Sequence, residues 1–196
     1  MKVALTFDAE HQDRPAGSPG NLPRILDILG ETPATFFIQG RWASAYQDYA
    51  HEIAGRGFTI GSHGYYHVPT HMLIPAAFHS DLSTAADAIY ETTGIYPKLF
   101  RPPYGLHTEV GDHILAARGY TRVQWDVNSE DYRLAPDAVV AKVLGELIEN
   151  PGVGRMPMDE DQEVTQTILM HTWPDATVAA LPEILSRLSE AELVKL

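Results

Sequence analysis

The 196-residue sequence predicts an α/β fold with parallel strands, arranged as a barrel or a doubly wound sheet. Short apolar runs typical of buried strands alternate along the chain with amphipathic stretches typical of helices. The connections between them are short, as in chains of βαβ units. No interior linker and no internal repeat interrupts the alternation, so we expect a single domain over residues 1–196.

The first half of the chain contains three predicted strands, at residues 2–7, 34–38 and 58–60. A helix between the first two has one apolar face, made by Leu22, Ile25, Leu26 and Leu29. Ser18 or Asn21 could cap this helix, and Gly30 ends it. The Pro- and Gly-rich residues 14–20 before it predict a loop. A second helix covers about residues 42–56 and ends at Gly57.

The second half continues the alternation of helices and strands. The predicted helices cover residues 75–93, 108–118, 136–149 and 176–187. Gly94 and Gly119 end the first two, and Asn150-Pro151-Gly152 stops the third. The predicted strands are residues 98–100, 121–125, 167–170 and 192–196. Residues 153–163 are polar and acidic without periodicity, which indicates a surface loop.

Composition excludes several classes of function. The formal net charge of −12 disfavours nucleic acid or an anionic membrane as partner and suits a neutral or cationic substrate. The chain has no cysteine, which excludes thiolate chemistry. No apolar run approaches the ~18 residues of a membrane span. The apolar start is too short for a signal peptide, so we expect a cytoplasmic protein unless a leader has been removed.

Two histidines form the most informative local pattern. His63 and His67 are four residues apart, just after the predicted strand 58–60. On a helical turn this spacing places both imidazoles on one face, where they can bind one metal ion. Imidazole nitrogens favour zinc, cobalt or nickel over magnesium or calcium. Other polar residues also follow predicted strands, where barrel enzymes carry their active sites: Asp8, Arg101, residues 126–131 and His171.

Five ordered motifs resemble the polysaccharide deacetylase family, carbohydrate esterase family 4, over essentially the whole chain. They are Thr6-Phe7-Asp8, Ser62-His63 with His67, Arg101-Pro102-Pro103-Tyr104-Gly105, Trp125 through Asp131-Tyr132, and Leu169-Met170-His171. The resemblance implies a distorted (β/α) barrel with fewer than eight repeats. It also implies a catalytic domain that hydrolyses an N-acetyl group on a sugar with the help of a metal.

The resemblance implies roles for the matching residues. Asp8 is the general base, and Arg101 pairs with it, so that the opposite charge favours the carboxylate form. The Tyr104 backbone N–H is an oxyanion donor. His171 is the general acid that protonates the departing amine, and Asp131 orients and charges this histidine.

Three further positions match substrate-contacting or loop residues of the family. Leu169 corresponds to an apolar residue that helps to enclose the acetyl methyl group, and Tyr132 stands where the family usually has Trp. Pro103, which with Pro102 stiffens the loop before Tyr104, is a third candidate for substrate contact. Leu169 and Tyr132 could equally be ordinary core residues.

The first motif departs from the family pattern Thr-Phe-Asp-Asp-Gly, in which the second Asp binds metal. This chain has Asp8-Ala9-Glu10, and alanine cannot bind a metal ion. Residues i and i+2 of a strand share a face, so Glu10 can point to the same side as Asp8. We therefore predict Glu10 as the third ligand beside His63 and His67, with two alternatives open. Glu10 could be a solvated loop acid, and Asp8 could be the metal carboxylate.

A second departure affects the proposed acid. The family's other acidic residue in the fourth motif is Asn128 here, so Asp131 is the one tuning carboxylate unless Asp126 or Glu130 substitutes. The six remaining histidines have no motif support and are predicted to lie at the surface: His11, His51, His71, His79, His107 and His113.

The sequence thus predicts a metal-dependent amide hydrolase that removes an N-acetyl group from an amino sugar or polysaccharide. The predicted cofactor is one divalent ion, with zinc as the first choice and cobalt or nickel as alternatives. One alternative is a metal-independent amidohydrolase on the same fold, of the allantoinase-like or deformylase-like kind. Another is a catalytically dead carbohydrate-binding module, although binding alone needs no acid–base pair such as Asp8 and His171.

Overall fold

A computed structural model describes residues 1–11, 19–149 and 165–196. The strands are β1 (Lys2–Ala9), β2 (Ala34–Ile38), β3 (Thr59–Ser62), β4 (Leu99–Phe100), β5 (Thr121–Arg122), β6 (Val127–Asn128), β7 (Thr165–His171) and β8 (Glu192–Leu193). The helices are α1 (Leu22–Leu29), α2 (Gly40–Ala45), α3 (Gln47–Gly55), α4 (Pro75–Thr93), α5 (Glu109–Ala117), α6 (Pro136–Glu149) and α7 (Asp175–Arg187). The strands pair in the order β5-β4-β3-β2-β1-β7-β6, and β8 pairs with β1. This topology confirms the predicted α/β class.

Most predicted elements are confirmed within one or two residues, and β2, α4 and α6 have the predicted bounds. The helix predicted over residues 42–56 is wrong in one respect, because Tyr46 has φ −128° and ψ 55° and divides it into α2 and α3. The strand predicted over residues 121–125 ends at Arg122, and the separate two-residue strand β6 follows Trp125. The predicted loops at residues 14–20 and 153–163 and the helix stop at 150–152 lie outside the described residues, except for residues 19 and 20.

The chain divides into two compact units. Unit 1 comprises residues 1–7, 20–35 and 125–196, and includes α1, α6 and α7. Within it β1 runs parallel to β8, with Lys2 opposite Glu192, and β6 runs parallel to β7, with Val127 opposite Ile168. The predicted apolar face of α1 is buried along its whole length.

Unit 2 comprises residues 8–19 and 36–124 and contains helices α2 to α5. Here β3, β4 and β5 are parallel neighbours, with Ser62 opposite Phe100 and Leu99 opposite Thr121. A buried cluster of Phe78, Leu82, Phe100 and Leu115 packs α4 and α5 onto β4. Thr108 caps α5 by accepting a hydrogen bond from the Gly111 N–H. No helix in the described ranges is both long and apolar enough to cross a membrane.

Candidate metal centre and acid pair

The segment that carries the two histidines is a loop, and the prediction of a helical turn there is wrong. β3 ends at Ser62, and the backbone then turns through positive φ angles at Gly64 (+71°) and His67 (+59°). The N–H groups of Tyr65 and Tyr66 donate to the two oxygens of Asp81, at 2.9 and 3.2 Å. A Cβ at Gly64 would lie 2.9 Å from Asp81 Oδ2, so this close turn requires glycine. The loop nevertheless brings the two rings together.

Glu10, His63 and His67 form a group that could hold one metal ion. Their candidate donor atoms all lie within 4.8 Å of one another. Glu10 Oε2 lies 2.5 Å from His67 Nε2 and 3.4 Å from His63 Nε2, and the two Nε2 atoms are 3.2 Å apart. Two imidazoles and one carboxylate make a donor set that suits a zinc-like ion with positions left for substrate and water. The residues present therefore fit the predicted metal.

The electrostatics of the group favour a positive charge at its centre. Burial opposes ionisation of Glu10, but the hydrogen bonds from His63 and His67, together with the positive charges of these two residues, outweigh burial and hold the pKa of Glu10 well below its usual range. Burial also works against a charged His63, yet the negative charges of Asp8 and Glu10 prevail and raise the pKa of His63. A dication at the same place would meet the same attraction from both carboxylates.

His63 is fixed by its other ring nitrogen. Its Nδ1 lies 2.7 Å from the Arg101 carbonyl oxygen, so Nδ1 carries a proton, and Nε2, which faces Glu10 and His67, is the nitrogen that could bind a metal. The His63 N–H donates to the Ile38 carbonyl at 2.9 Å, which ties the ligand to the end of β2. Metal-binding histidines commonly have such a backbone partner, because it sets the tautomer and the ring orientation.

Asp8 and Arg101 form a buried ion pair beside this group. Arg101 Nη1 donates to Asp8 Oδ1 at 2.8 Å, and both side chains are buried. The guanidinium carbon lies 4.0 Å from the centroid of the Phe37 ring, within cation–π range. The second Asp8 oxygen, Oδ2, lies 3.5 Å from His63 Nε2. One oxygen of Asp8 is thus held by arginine while the other faces the candidate metal ligands.

Tyr104 adjoins the same group through its ring. Residues Pro103–Gly105 form a short turn in which Tyr104 has φ +59° and ψ 11°, a conformation that is uncommon for a non-glycine residue. The Tyr104 ring lies 4.6 Å from the His67 ring, centroid to centroid, and is 53% exposed. The buried Pro103 precedes it. Backbone strain of this kind is often found at functional sites.

Unit 1 contains the predicted acid pair. His171, the last residue of β7, places Nδ1 2.7 Å from Asp131 Oδ1, and its backbone N–H donates to Asp131 Oδ2 at 2.7 Å. The Thr177 hydroxyl donates to the same Oδ2 at 2.6 Å. Asp131 is buried among these three donors. The predicted pairing of His171 with Asp131 is confirmed as a contact.

Asp126 and Glu130, the candidates for a second carboxylate that charges His171, bind other groups. Asp126 Oδ2 accepts the Thr167 N–H, and Glu130 pairs with Arg133 and Lys142. Asn128 Oδ1 accepts the Glu130 N–H. Asp131 is therefore the carboxylate that contacts the predicted acid.

The candidate substrate residues differ in exposure. Tyr132 is 45% exposed and meets the His171 ring edge-on, at 5.6 Å between centroids, whereas Leu169 is buried in β7. Of the histidines predicted to lie at the surface, five are exposed. His11 is only partly exposed and packs near Tyr46, at 5.4 Å between ring centroids.

Sequence reasoning missed three polar residues that hold these groups. Asp81 binds the loop between the two histidines, Thr177 binds Asp131, and Gln39 Oε1 accepts the His11 N–H next to Glu10. Each lies many residues from its partner in sequence, so no local spacing links the two. Gln39 directly before α2 and Thr177 in the first turn of α7 are polar residues near helix starts, a position that could have drawn attention to them.

The chain belongs to the polysaccharide deacetylase family, whose sequence profile matches residues 1–123. It is 29% identical over 195 residues to a chitooligosaccharide deacetylase of Bradyrhizobium, covering 95% of this chain and 84% of that protein. The solved structure of a family 4 carbohydrate esterase from Streptomyces lividans in complex with acetate has 32% identity and a TM-score of 0.78, covering 98% of this chain and 90% of that one. These matches confirm both the resemblance and the distorted (β/α)-barrel fold class.

The chain is also 31% identical over 147 residues to a peptidoglycan-N-acetylglucosamine deacetylase of Bacillus cereus, covering 74% of this chain. That match spans 51% of the relative, so the chain spans about half the length of some of the curated proteins that it matches.

Proposed function

We propose that the protein is a metal-dependent hydrolase that removes N-acetyl groups from amino sugars. One observation carries the proposal: the donor atoms of Glu10, His63 and His67 converge within 4.8 Å of one another, beside an Asp8 carboxylate held by Arg101. The names of the relatives, which include deacetylases of chitooligosaccharide and of peptidoglycan, support the substrate class.

Glu10, His63 and His67 would hold the divalent ion, with zinc as first choice and cobalt or nickel as alternatives. When bound, the ion would supply Lewis-acid polarisation of the acetyl carbonyl. Glu10 contributes the negative charge that two neutral imidazoles lack, which supports its assignment as the ligand that replaces the family's second Asp. The Tyr104 ring packs against the His67 ring, with their centroids 4.6 Å apart.

Asp8 is the proposed base that removes a proton from the attacking water. Its salt bridge with Arg101 occupies Oδ1, while Oδ2 lies on the side of His63. Positioned proton transfer of this kind contributes about 10²–10⁴ in rate. The Tyr104 N–H is the proposed donor to the oxyanion that forms when water adds to the carbonyl carbon.

His171 is the proposed acid. With Nδ1 bound to Asp131, a proton on Nε2 can pass to the amine nitrogen as the C–N bond breaks. The negative charge of Asp131 stabilises the imidazolium from which this proton leaves. The products are acetate and a free amino sugar, with one water consumed. Leu169, Tyr132 and Pro103 are proposed to contact the substrate, as in the motifs that they match.

The test combines metal analysis with hydrolysis. Protein purified without added metal should contain about one equivalent of a zinc-like ion per chain, and removal by a chelator should abolish acetate release from N-acetylchitooligosaccharide and from peptidoglycan fragments. Re-addition of zinc should restore release. Activity that survives complete chelation would contradict the proposal and favour the metal-independent alternative. Glycan binding without acetate release by the metal-loaded protein would favour a binding module.

A further inference from the structure

Gln39 lies between the two segments that carry the candidate ligands. It follows β2, is fully buried, and precedes α2 without using its side chain to cap that helix. The next two residues bond the histidine loop, because the N–H groups of Gly40 and Arg41 donate to the carbonyls of Gly64 and Tyr65, at 2.8 and 3.3 Å. The backbone after β2 is thus firmly placed relative to His63.

Gln39 also holds the peptide groups on both sides of Glu10. Its backbone N–H donates to the Ala9 carbonyl at 3.0 Å, and its side-chain Oε1 accepts the His11 N–H at 3.0 Å. β1 ends at Ala9, so Glu10 is the first residue beyond the strand. The two bonds from Gln39 therefore limit rotation of the backbone from which the Glu10 carboxylate projects.

A purely structural role would not favour glutamine here. The His11 N–H requires the amide oxygen to face it, which directs Nε2 the other way. Nε2 is buried and has no hydrogen-bond partner among the described residues. An unmet buried donor costs about 1–3 kcal/mol, comparable to or more than the ~1 kcal/mol net gain of the bond at Oε1. An apolar side chain of similar length would avoid this cost but would leave the His11 N–H without this acceptor, so stability alone gives no preference for glutamine.

We propose that Gln39 is a positioning residue that fixes Glu10 for metal binding through the bond between the His11 N–H and Gln39 Oε1. The inference rests on the proposed function, in which Glu10 is a metal ligand. The partners that orient metal ligands typically contribute 10–100-fold to metal affinity. Replacing Gln39 should change the stability of the metal-free protein only slightly. Loss of the hydrogen bond from the His11 N–H destabilises it, and removal of the unpaired Nε2 donor stabilises it by a similar amount.

The experiment measures zinc affinity, by titration against a competing chelator, and thermal unfolding of the metal-free protein. Gln39→Met, which removes both the acceptor and the donor, should weaken zinc binding by about 10–100-fold while leaving metal-free stability nearly unchanged. Gln39→Glu, which keeps an acceptor for the His11 N–H, should bind zinc about as tightly as the parent. Gln47→Met, the same change at an exposed position of the same unit, is the control.

Parental zinc affinity in Gln39→Met would overturn the proposal, and so would equal weakening in Gln39→Met and Gln39→Glu. If Gln39→Met does not fold, hydrogen exchange of the His11 amide in the metal-free parent tests the proposal instead. An unprotected His11 N–H would rule out its bond to Gln39 Oε1 and with it the proposal. Glu10→Gln is measured in parallel. If it binds zinc like the parent, the ligand assignment fails and this proposal with it. If it loses zinc while Gln39→Met does not, only the positioning role fails.

Discussion

The candidate metal centre of unit 2 and the proposed acid pair of unit 1 are both contacts between histidine and carboxylate, but the imidazole rings have different partners. In each histidine, Nδ1 has a hydrogen-bond partner. For His63 this partner is the neutral backbone carbonyl of Arg101, and for His171 it is the Asp131 carboxylate. A carboxylate at Nδ1 raises the basicity of the ring, which suits a proton carrier. A carbonyl partner fixes the tautomer and the orientation of the ring, which suits a metal ligand.

The carboxylates of Asp131 and Glu10 also differ in their hydrogen-bond partners. Asp131 is saturated by protein donors, namely the His171 ring, the His171 N–H and the Thr177 hydroxyl. The Glu10 carboxylate instead meets two Nε2 atoms, which are themselves possible ligands. The comparison indicates that the surroundings of each carboxylate, rather than the residue types, distinguish a metal site from an acid pair.

The largest expected effect is loss of metal from the histidine variants. His63→Ala and His67→Ala should each reduce bound zinc from about one equivalent to near zero, because two remaining protein ligands hold zinc poorly. Metal content by mass spectrometry measures this, with the exposed His51→Ala as control. Full occupancy in either variant would show that the ligand assignment is wrong.

The acid and base variants should separate chemistry from metal binding. Asp8→Asn and His171→Ala should each lower kcat by roughly 10²–10⁴, the usual contribution of a positioned proton transfer. Both should keep the parental metal content, because neither side chain is an assigned ligand. Acetate release and metal analysis on the same samples provide the measurement. Parental kcat in both variants would refute the proposed roles.

A smaller effect is expected where Asp81 holds the histidine loop. Asp81→Asn replaces one of the two oxygens that accept the N–H groups of Tyr65 and Tyr66, and should weaken zinc binding by roughly tenfold, the lower range for such supporting residues. Asp87→Asn, an exposed position on the same helix, is the matched control. Equal zinc affinity of the two variants would show that Asp81 does not support zinc binding.

The smallest expected effect is in the acid pair. Thr177→Val deletes one of the three donors to Asp131 and should lower the free energy of unfolding by about 1 kcal/mol. Denaturant titration measures this loss, and the exposed Thr84→Val provides the comparison. A loss no larger than that of Thr84→Val would show that the other two donors suffice to hold Asp131.

Sequence reasoning predicted the order of the elements well because helices such as α1 and α4 have clear periodicity and end signals. It failed where the backbone conformation depends on distant partners. The spacing of His63 and His67 suggested a helical turn, yet the observed loop depends on Asp81 of α4. All three non-glycine residues with positive φ in the described ranges lie at or beside candidate site residues: His67, Tyr104 and Glu130. Such strained positions leave no pattern in the sequence.

The single catalytic domain over residues 1–196 and the cytoplasmic location stay predictions. So does Glu10 as the replacement for the family's second Asp, the point at which this chain departs most from its relatives. The prediction depended on two residues of a strand sharing a face, and the position of Glu10 beside both histidines is consistent with it.

A zinc titration of Glu10 and Asp8 variants tests the central claim most directly. Glu10→Ala should lose most zinc affinity, and Glu10→Gln nearly as much, because the amide keeps an oxygen but not the charge that balances the dication. Asp8→Ala should retain most of it, and the exposed Glu91→Ala should equal the parent. If Glu10→Ala binds zinc like the parent while Asp8→Ala does not, then Asp8 is the metal ligand, and the assignment of Asp8 as a separate base is contradicted.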